Sequence, residues 1–141
     1  MAMSYGYVYV AQVSLGANKQ QLLNAFTEAE SYNGPSLIIA YTPCIAHGAN
    51  MSKSVDEEKL AVDCGYWHLF RFDPRLKEVG KNPFVLDSKA PTVDFKSFLS
   101  GENRFNSLKK TEPETAETLF TEAEEESKKL FSFYQKLSEL I

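Results

Sequence analysis

Residues 34–48 decide the predicted fold, and they read GPSLIIAYTPCIAHG. The stretch opens with Gly34-Pro35, which ends a helix because glycine adopts the left-handed conformation and proline cannot continue the helix. Residues 37–41 form an apolar run without polar alternation, which is typical of a strand covered on both faces. We therefore expect a central strand here. Open α/β sheets bind ligands beyond the carboxyl ends of their strands, so the following loop with Cys44 and His47 is the first candidate site.

Composition places the chain among ordinary soluble proteins. It has 141 residues, of which 43% are hydrophobic and 24% charged, enough for one domain with a core. The net charge of −4 disfavours a nucleic-acid partner, which needs a basic surface. No apolar run approaches the roughly 20 residues of a membrane span, and no signal peptide is visible. Two cysteines predict neither a disulfide scaffold nor a thiolate metal site, so we expect a reduced, cytoplasmic protein with no membrane contact.

The first half of the chain alternates strand and helix patterns. Residues 7–13 are aromatic and β-branched, as strands are. A helix is predicted at 19–32, with Asn18 and Gln21 as a capping box and Leu22, Ala25, Phe26 and Ala29 on its buried face. After strand 37–41, a capping box of Ser54 and Glu57 precedes a helix at 55–64 that carries Leu60 inward. Strand 67–72 completes a β-α-β-α-β series, which favours a parallel sheet with right-handed crossovers.

The pattern changes after Pro74. We expect a charged loop at 77–81, an edge strand at 84–87, one or two helical turns at 94–99 and an irregular segment at 101–110. Thr111 and Glu114 suggest a capping box for a final helix at 113–140. The fold prediction is thus α/β, a partial doubly wound parallel sheet followed by an irregular segment and a long C-terminal helix. The positions expected to be buried in that helix are Ala116, Leu119, Phe120, Ala123, Leu130, Phe131, Tyr134 and Leu137.

Cys44 and His47 allow two interpretations. They form either a reactive pair in which the imidazole polarises a thiolate, or a buried thiol beside a histidine that orders the loop. The second interpretation is favoured, because free cysteines are often simply buried. Cys64 is expected in the core on a helix face, and His68 is expected to be a structural residue with its polar atoms satisfied. No metal site follows from residues so dispersed.

The connection 14–18 lies between a strand and a helix start, where an anion can bind, although most such turns bind none. The glycines of the chain form neither a dinucleotide fingerprint nor a phosphate loop. A thiol redox function through Cys44 is a weaker hypothesis, because the sequence has no Cys-x-x-Cys. Composition and spacing alone supply no reaction.

Four stretches closely match the C-terminal part of pyruvate:ferredoxin (flavodoxin) oxidoreductase. They are residues 1–13 (MAMSYGYVYVAQV), 34–45 (GPSLIIAY and PCI), 59–69 (KLAV and GYWHL) and 80–89 (GKNPF and LDSK). They occur in order across the first 89 residues. The chain therefore resembles the thiamine diphosphate-binding domain and the start of the C-terminal extension of that family.

The resemblance implies an enzyme of anaerobic metabolism. It oxidises pyruvate with coenzyme A to acetyl-CoA and CO2 and passes electrons to ferredoxin or flavodoxin, using thiamine diphosphate, Mg2+ and [4Fe-4S] clusters. By resemblance, residues 1–82 are the second half of the thiamine diphosphate-binding domain. Residues 83–141 are the extension, which ends in an amphipathic helix. The implied partners are the remainder of the oxidoreductase chain and its second subunit.

The sequence lacks the family's Gly-Asp-Gly motif, the asparagine that completes its magnesium site and its cluster-binding cysteines. No metal ligand is carried over, and the chain alone is expected to bind none of these cofactors and to be inactive. Cys44 and His47 are expected near the cofactor or substrate in the complete enzyme. Whether the chain itself is an enzyme stays open. The alternative is a separately encoded subunit, or a stand-alone α/β interaction module without catalysis.

Overall fold

A computed structural model describes residues 1–44 and 50–140 of the chain. Four strands in these ranges form a single sheet, with the spatial order second, first, third and fourth. The first two strands run parallel, whereas the third is antiparallel to both of its neighbours. The strands are β1 (Tyr9–Val13), β2 (Ser36–Ala40), β3 (Phe70–Phe72) and β4 (Phe84–Leu86).

Six α-helices lie in the described part of the chain, and the last of them is by far the longest. Short 3-10 turns at Ala2–Tyr5 and Met51–Lys53 precede β1 and the second helix. The helices are α1 (Lys19–Ser31), α2 (Ser54–Asp63), α3 (Arg75–Glu78), α4 (Phe95–Gly101), α5 (Asn103–Thr111) and α6 (Pro113–Glu139).

The α/β class is confirmed. A helix, α1, connects the parallel pair β1 and β2, as the capping box at Asn18 and the glycine-proline stop predict. The side chain of Asn18 accepts a hydrogen bond from the Gln21 amide at 2.9 Å. The long C-terminal helix and the edge position of β4 are also confirmed.

The third strand does not continue the parallel series, so that part of the prediction is wrong. Helix α2 lies at the carboxyl end of β1, where the Gly16 amide donates to the Glu58 carboxylate at 2.7 Å. The chain is still at this end of the sheet after α2, because the Trp67 indole donates to the Val13 carbonyl at 3.0 Å. It therefore enters β3 from the carboxyl edge and runs opposite to β1.

Strand β2 is at the edge of the sheet, and the prediction of a central strand is wrong. Leu37 and Ile39 are 42% and 39% exposed, although they belong to the apolar run that suggested burial on both faces. β1 and β3 are the inner strands instead, and four of the five residues of β1 are buried. An apolar run indicates that the side chains of a strand are packed against other residues, but not that those residues belong to the same chain.

The core has three parts, two of which are the opposite faces of the sheet. Tyr9, Ala11 and Val13 alternate toward α1 and Ala25, as side chains of a strand do. On the other face, Val10 packs with three phenylalanines of β3 and β4, and Tyr134 and Leu137 of α6 cover them. The third part joins α2 to α4 and consists of Ala61, Cys64, Phe95, Phe98 and Leu99.

Two predicted capping boxes are wrong, although α2 and α6 begin within a residue of their predicted starts. The side chains of Ser54 and Thr111 cap no helix: Ser54 is the first residue of α2, and Thr111 is the last residue of α5. Asn50 instead caps the 3-10 turn before α2 and accepts the Ser52 amide at 3.1 Å. The segment 101–110, expected to be irregular, is largely helix α5, because its polar side chains do not prevent a helix on the protein surface.

Predicted core positions on two helices also differ from the structure. Phe26 is 54% exposed, because the neighbouring Ala25 fills the contact between α1 and the sheet. On α2, by contrast, Leu60 points inward as predicted and is partly buried against the α2–α4 core. On α6, Ala116 and Phe131 are buried, whereas Leu119, Ala123 and Leu130 are exposed.

Candidate functional site

The carboxyl ends of β1 and β2 form one edge of the sheet, and the predicted site residues follow it. Because the two strands are parallel with Val13 beside Ala40, the connections after them leave on the same side. Cys44 lies four residues beyond β2 and is exposed, so the interpretation of a buried thiol does not hold. His47 lies outside the described residues.

The loop between β1 and α1 is held by an internal carboxylate. The Gly16 amide donates to Glu58 Oε2 at 2.7 Å, and the Ser14 hydroxyl donates to the Glu58 carbonyl at 3.4 Å. Glu58 is itself buried, at 8% exposure. The helix-start loop that the sequence offers for an anion therefore has its Gly16 amide engaged by a carboxylate of the same chain.

Tyr41, the first residue after β2, is fixed by a buried acid. Its hydroxyl donates to Glu102 Oε1 at 2.8 Å, and its amide donates to the Val13 carbonyl at 3.1 Å. Glu102 is 4% exposed, and Arg104 Nε lies 2.6 Å from its other oxygen. Burial and the hydrogen bond to Glu102 raise the pKa of Tyr41, so the phenol stays protonated.

Glu57 stands near this acid from the start of α2. Burial raises the pKa of Glu57 above its usual range, and the nearby charges of Glu102 and Asp56 add to the effect. Glu57 Oε2 is buried and makes no hydrogen bond within the described residues. A carboxyl group in this state is suited to hold or donate a proton.

Sequence reasoning missed the roles of Tyr41, Glu57 and Glu102. The sequence predicts Glu57 in a helix cap and Glu102 in an irregular segment. The hydrogen bond between Tyr41 and Glu102 joins residues 61 positions apart. No local pattern reports such a pair, because the turn between α4 and α5 brings Glu102 to the end of β2 only in the folded chain.

A cavity of about 280 Å3 lies beside the loop that leads into α1. Asp87 in its wall is occupied by ion pairing with Arg71, and Lys89 is exposed at its rim. Cys44 does not line it. The lining residues are Ala17, Asn18, Val62, Asp63, Leu69, Asp87, Ser88, Lys89, Ala90 and Thr92.

The other cysteine and the described histidine are both buried. Burial raises the pKa of the Cys64 thiol to about 11, so it is not a nucleophile near neutral pH. His68 is 3% exposed and packs against Phe131 and Tyr134, with ring centroids 5.5 and 5.7 Å away. The expectation that its polar atoms are satisfied is wrong for Nε2, which has no hydrogen-bond partner in ranges 1–44 and 50–140. Burial lowers the pKa of His68.

In the described residues, no three His, Cys, Asp or Glu side chains come together as a metal site would require. None of the described helices has both the length and the apolar character to cross a membrane.

Comparison with known proteins identifies oxidoreductases. No protein-family profile matches the chain. It is 58% identical over 139 residues to pyruvate:ferredoxin oxidoreductase of Moorella thermoacetica, covering 99% of this chain and 12% of that protein. Identity to the pyruvate-flavodoxin oxidoreductase of Enterobacter agglomerans is 55% over 140 residues, with 98% and 12% coverage. The mitochondrial pyruvate dehydrogenase [NADP(+)] of Euglena gracilis is 49% identical over 141 residues, with 99% and 8% coverage.

The fold and these matches define a segment of an α/β oxidoreductase. In particular, the chain belongs to the pyruvate:ferredoxin and pyruvate-flavodoxin oxidoreductase family. It spans 12% of the length of these relatives.

Proposed function

We propose that the chain is the structural second half of the thiamine diphosphate-binding domain in an oxidoreductase of this family. The complete enzyme would oxidise pyruvate with coenzyme A to acetyl-CoA and CO2 and reduce ferredoxin or flavodoxin in the cytoplasm. Identity of 52–58% over nearly the whole chain to three such enzymes supports the proposal. In this proposal residues 1–82 belong to the cofactor domain, and residues 83–141 are its extension toward the second subunit.

The observation that carries the proposal is the exposed edge of β2. This strand pairs with β1 on one side only, and its apolar residues Leu37 and Ile39 are exposed. An open edge with apolar side chains needs a partner. We assign that partner to the remainder of the oxidoreductase chain, because the relatives are about eight times longer than this segment.

The cofactors implied by the family do not fit the described residues of this chain. Magnesium diphosphate needs oxygen ligands that converge, and no three acidic, histidine or cysteine side chains do so in ranges 1–44 and 50–140. Of the acids near the carboxyl edge, Glu58 is engaged by Gly16 and Glu102 by Tyr41, which leaves Glu57 with a free carboxylate oxygen. Clusters of the [4Fe-4S] type need four cysteines, and the chain has two. We therefore assign thiamine diphosphate, Mg2+ and the clusters to the remainder of the enzyme.

The role proposed for Cys44 and His47 is to shape the surroundings of the cofactor or substrate. Cys44 is exposed at the carboxyl edge of a parallel strand pair, which is where such sheets present ligands. The thiamine ylid supplies the covalent chemistry when the cofactor is bound, so no nucleophilic cysteine is required. Tyr41 and Glu102 would hold the start of this loop in place.

A chimeric enzyme tests the proposal. The matching segment of the Moorella thermoacetica relative is replaced by this chain, and pyruvate- and CoA-dependent reduction of a viologen dye is measured. We expect turnover by the chimera, and neither turnover nor thiamine diphosphate binding by the isolated chain. A well-folded chimera without activity would contradict the proposal, as would turnover by the chain alone. The control is the Moorella thermoacetica enzyme with its matching segment deleted, which should be inactive. If adding the chain as a separate polypeptide restored its activity, the separate-subunit alternative would be favoured.

A further inference from the structure

Two glutamates lie close together where the start of helix α2 packs against the turn between α4 and α5. Glu57 is in the first turn of α2, and its two carboxylate oxygens lie 3.6 and 3.7 Å from the position that a Cβ of residue 101 would occupy. Glu102, the next residue along the chain, is 4% exposed. The two acids belong to different elements, so a bond between them would join α2 to the α4–α5 turn.

Each of these acids has one buried oxygen that accepts no hydrogen bond. Glu57 Oε2 has no partner among the described residues. Glu102 Oε1 accepts from the Tyr41 hydroxyl at 2.8 Å, whereas Glu102 Oε2 accepts no hydrogen bond in residues 1–44 and 50–140, although Arg104 Nε lies 2.6 Å away. Leaving a buried polar atom without a partner is costly. One proton on Glu57 Oε2 would supply the missing donor, because a protonated carboxyl group donates and a carboxylate accepts.

The surrounding charges favour a single shared proton over two carboxylates. Burial raises the pKa of Glu57, the charges of Glu102 and Asp56 raise it further, and Lys53 lowers it. Arg104 is engaged by Glu102, so its charge is already balanced. When two acids share a buried place, one of them tends to stay protonated. The charged and titratable groups that face the pair are Lys53 before α2, Asp56 on α2, Tyr41 after β2, Tyr66 after α2 and Arg104 on α5.

We propose that Glu57 and Glu102 share one proton and form a pH-sensitive latch, which fastens the α4–α5 turn to α2 and, through Tyr41, to the end of β2. With the proton in place, Glu57 donates to Glu102 Oε2 and the pair carries a single negative charge. When the proton leaves to solvent, two carboxylates face each other in a buried place and the turn separates from α2. Tyr41 then loses its fixed acceptor, so the segment that leads to Cys44 is no longer held at its start. The latch does not depend on the proposed enzymatic role.

The first experiment follows the carboxyl carbons of Glu57 and Glu102 by NMR as the pH of the 141-residue parent chain is raised. We expect Glu57 to titrate above the ordinary glutamate value of about 4.3, and the Glu102 signal to shift in the same step. Glu102→Gln should move this step to lower pH, because it removes the neighbouring charge. Titration of Glu57 at the ordinary value overturns the proposal, and so does a step that Glu102→Gln leaves in place.

The second experiment measures urea denaturation across the same pH range. Because the pKa of Glu57 is raised in the folded chain, its contribution to stability is complete below about pH 4.3 and is lost as the pH rises through the folded pKa. Glu57→Gln keeps an N–H donor for Glu102 at every pH. Its urea midpoint should therefore match that of the parent at the acidic end of the range and exceed it at the alkaline end.

Asp56→Asn is the matched control for this stability measurement, because Asp56 is an exposed acid in the same first turn of α2. Both substitutions remove one negative charge near the start of the helix, so they change its interaction with the helix dipole alike. Circular dichroism verifies that each variant is folded. The proposal fails if Glu57→Gln and Asp56→Asn change the urea midpoint in the same way at every pH.

The third experiment tests the link to Tyr41. Trp67 is the only tryptophan of the chain, and its ring centroid lies 5.8 Å from that of Tyr41. Opening of the latch should change the fluorescence of Trp67 in step with the titration of Glu57, and this change should be absent in Glu57→Gln. His68 is present in both chains, so the difference between their curves reports on Glu57. Identical curves for the parent and Glu57→Gln would show that Tyr41 does not respond to the pair, and would overturn the latch.

Discussion

Arg71 donates to both carboxylate oxygens of Asp87, with Nε–Oδ2 and Nη2–Oδ1 distances of 2.9 Å. The same guanidinium pairs with Glu28 on α1, and the Tyr9 hydroxyl donates to the second oxygen of Glu28 at 2.7 Å. Arg71 is on β3 and Asp87 follows β4, so this network ties the added antiparallel strands to the β1–α1 unit. Its members are mostly buried, with the Arg71 side chain 18% exposed.

Arg71→Met should destabilise the folded chain by about 3–5 kcal/mol, because it leaves Asp87 and Glu28 without their counter-charge in a mostly buried place. Chemical denaturation measures the change in the free energy of unfolding. Lys59→Met is the control: Lys59 pairs with Asp63 but is 58% exposed, so its loss should cost less than about 1 kcal/mol. Equal effects of the two substitutions would contradict the structural role given to Arg71.

Gly16→Ala should be destabilising. A Cβ at Gly16 would lie 2.3 Å from the Val55 carbonyl oxygen and 2.8 Å from Glu58 Cβ, so α2 would have to move away from the carboxyl edge. Overpacking of this kind costs about 1–3 kcal/mol. Gly101→Ala is the matched control, because the nearest atom to its Cβ would be Glu57 Oε1 at 3.6 Å. A thermal melt compares the two, and a melting temperature unchanged by Gly16→Ala would count against this packing.

His68 should make stability depend on pH. Burial lowers the pKa of His68, so the folded chain binds its proton less readily than the unfolded chain does. The stability is therefore complete above the unfolded pKa of about 6.5 and falls as the pH drops toward the folded pKa. His68→Phe should remove this dependence between about pH 7 and 5.5, as measured by denaturation at each pH.

His47→Ala is the control for that titration, since the chain has only two histidines. It should retain the pH dependence of the parent chain. If His68→Phe kept the slope and His47→Ala lost it, the titrating group would be His47.

The two thiols should differ in reactivity. Cys44 is exposed, whereas Cys64 is buried with its pKa raised to about 11. A thiol reagent at neutral pH should therefore modify one cysteine per folded chain and two after denaturation. Cys44→Ser should abolish the modification of the folded chain. Rapid reaction of Cys64 under native conditions would show that α2 and α4 separate readily.

Local signals predicted the elements better than their arrangement. Asn18 with Gln21 and Gly34-Pro35 predict both ends of α1 to within a residue, because caps and stops act over one helical turn. The direction of β3 depends on Gly16 meeting Glu58, residues 42 positions apart. Likewise, the apolar run of β2 indicates that its side chains are buried in the native protein, but it does not indicate which polypeptide segment packs against them. At the site, the loop with Cys44 was predictable from strand ends, while the pairing of Tyr41 with Glu102 was not.

The last prediction concerns Cys44 and His47 in the complete enzyme. If they shape the pocket without entering the chemistry, Cys44→Ala should lower turnover only a few-fold, with thiamine diphosphate still bound. His47→Ala should change KM for pyruvate or the pH profile of turnover, as expected of an imidazole within hydrogen-bond reach of a pocket. Lys110→Ala is the control for the effect of making and purifying any variant, because Lys110 is on the exposed last turn of α5. Its turnover and KM should equal those of the parent enzyme. Steady-state kinetics on the chimeric enzyme separates the cases. Parental kinetics for both variants would reduce the loop to a structural connection, whereas complete loss in Cys44→Ala with cofactor bound would mean that the thiol acts directly.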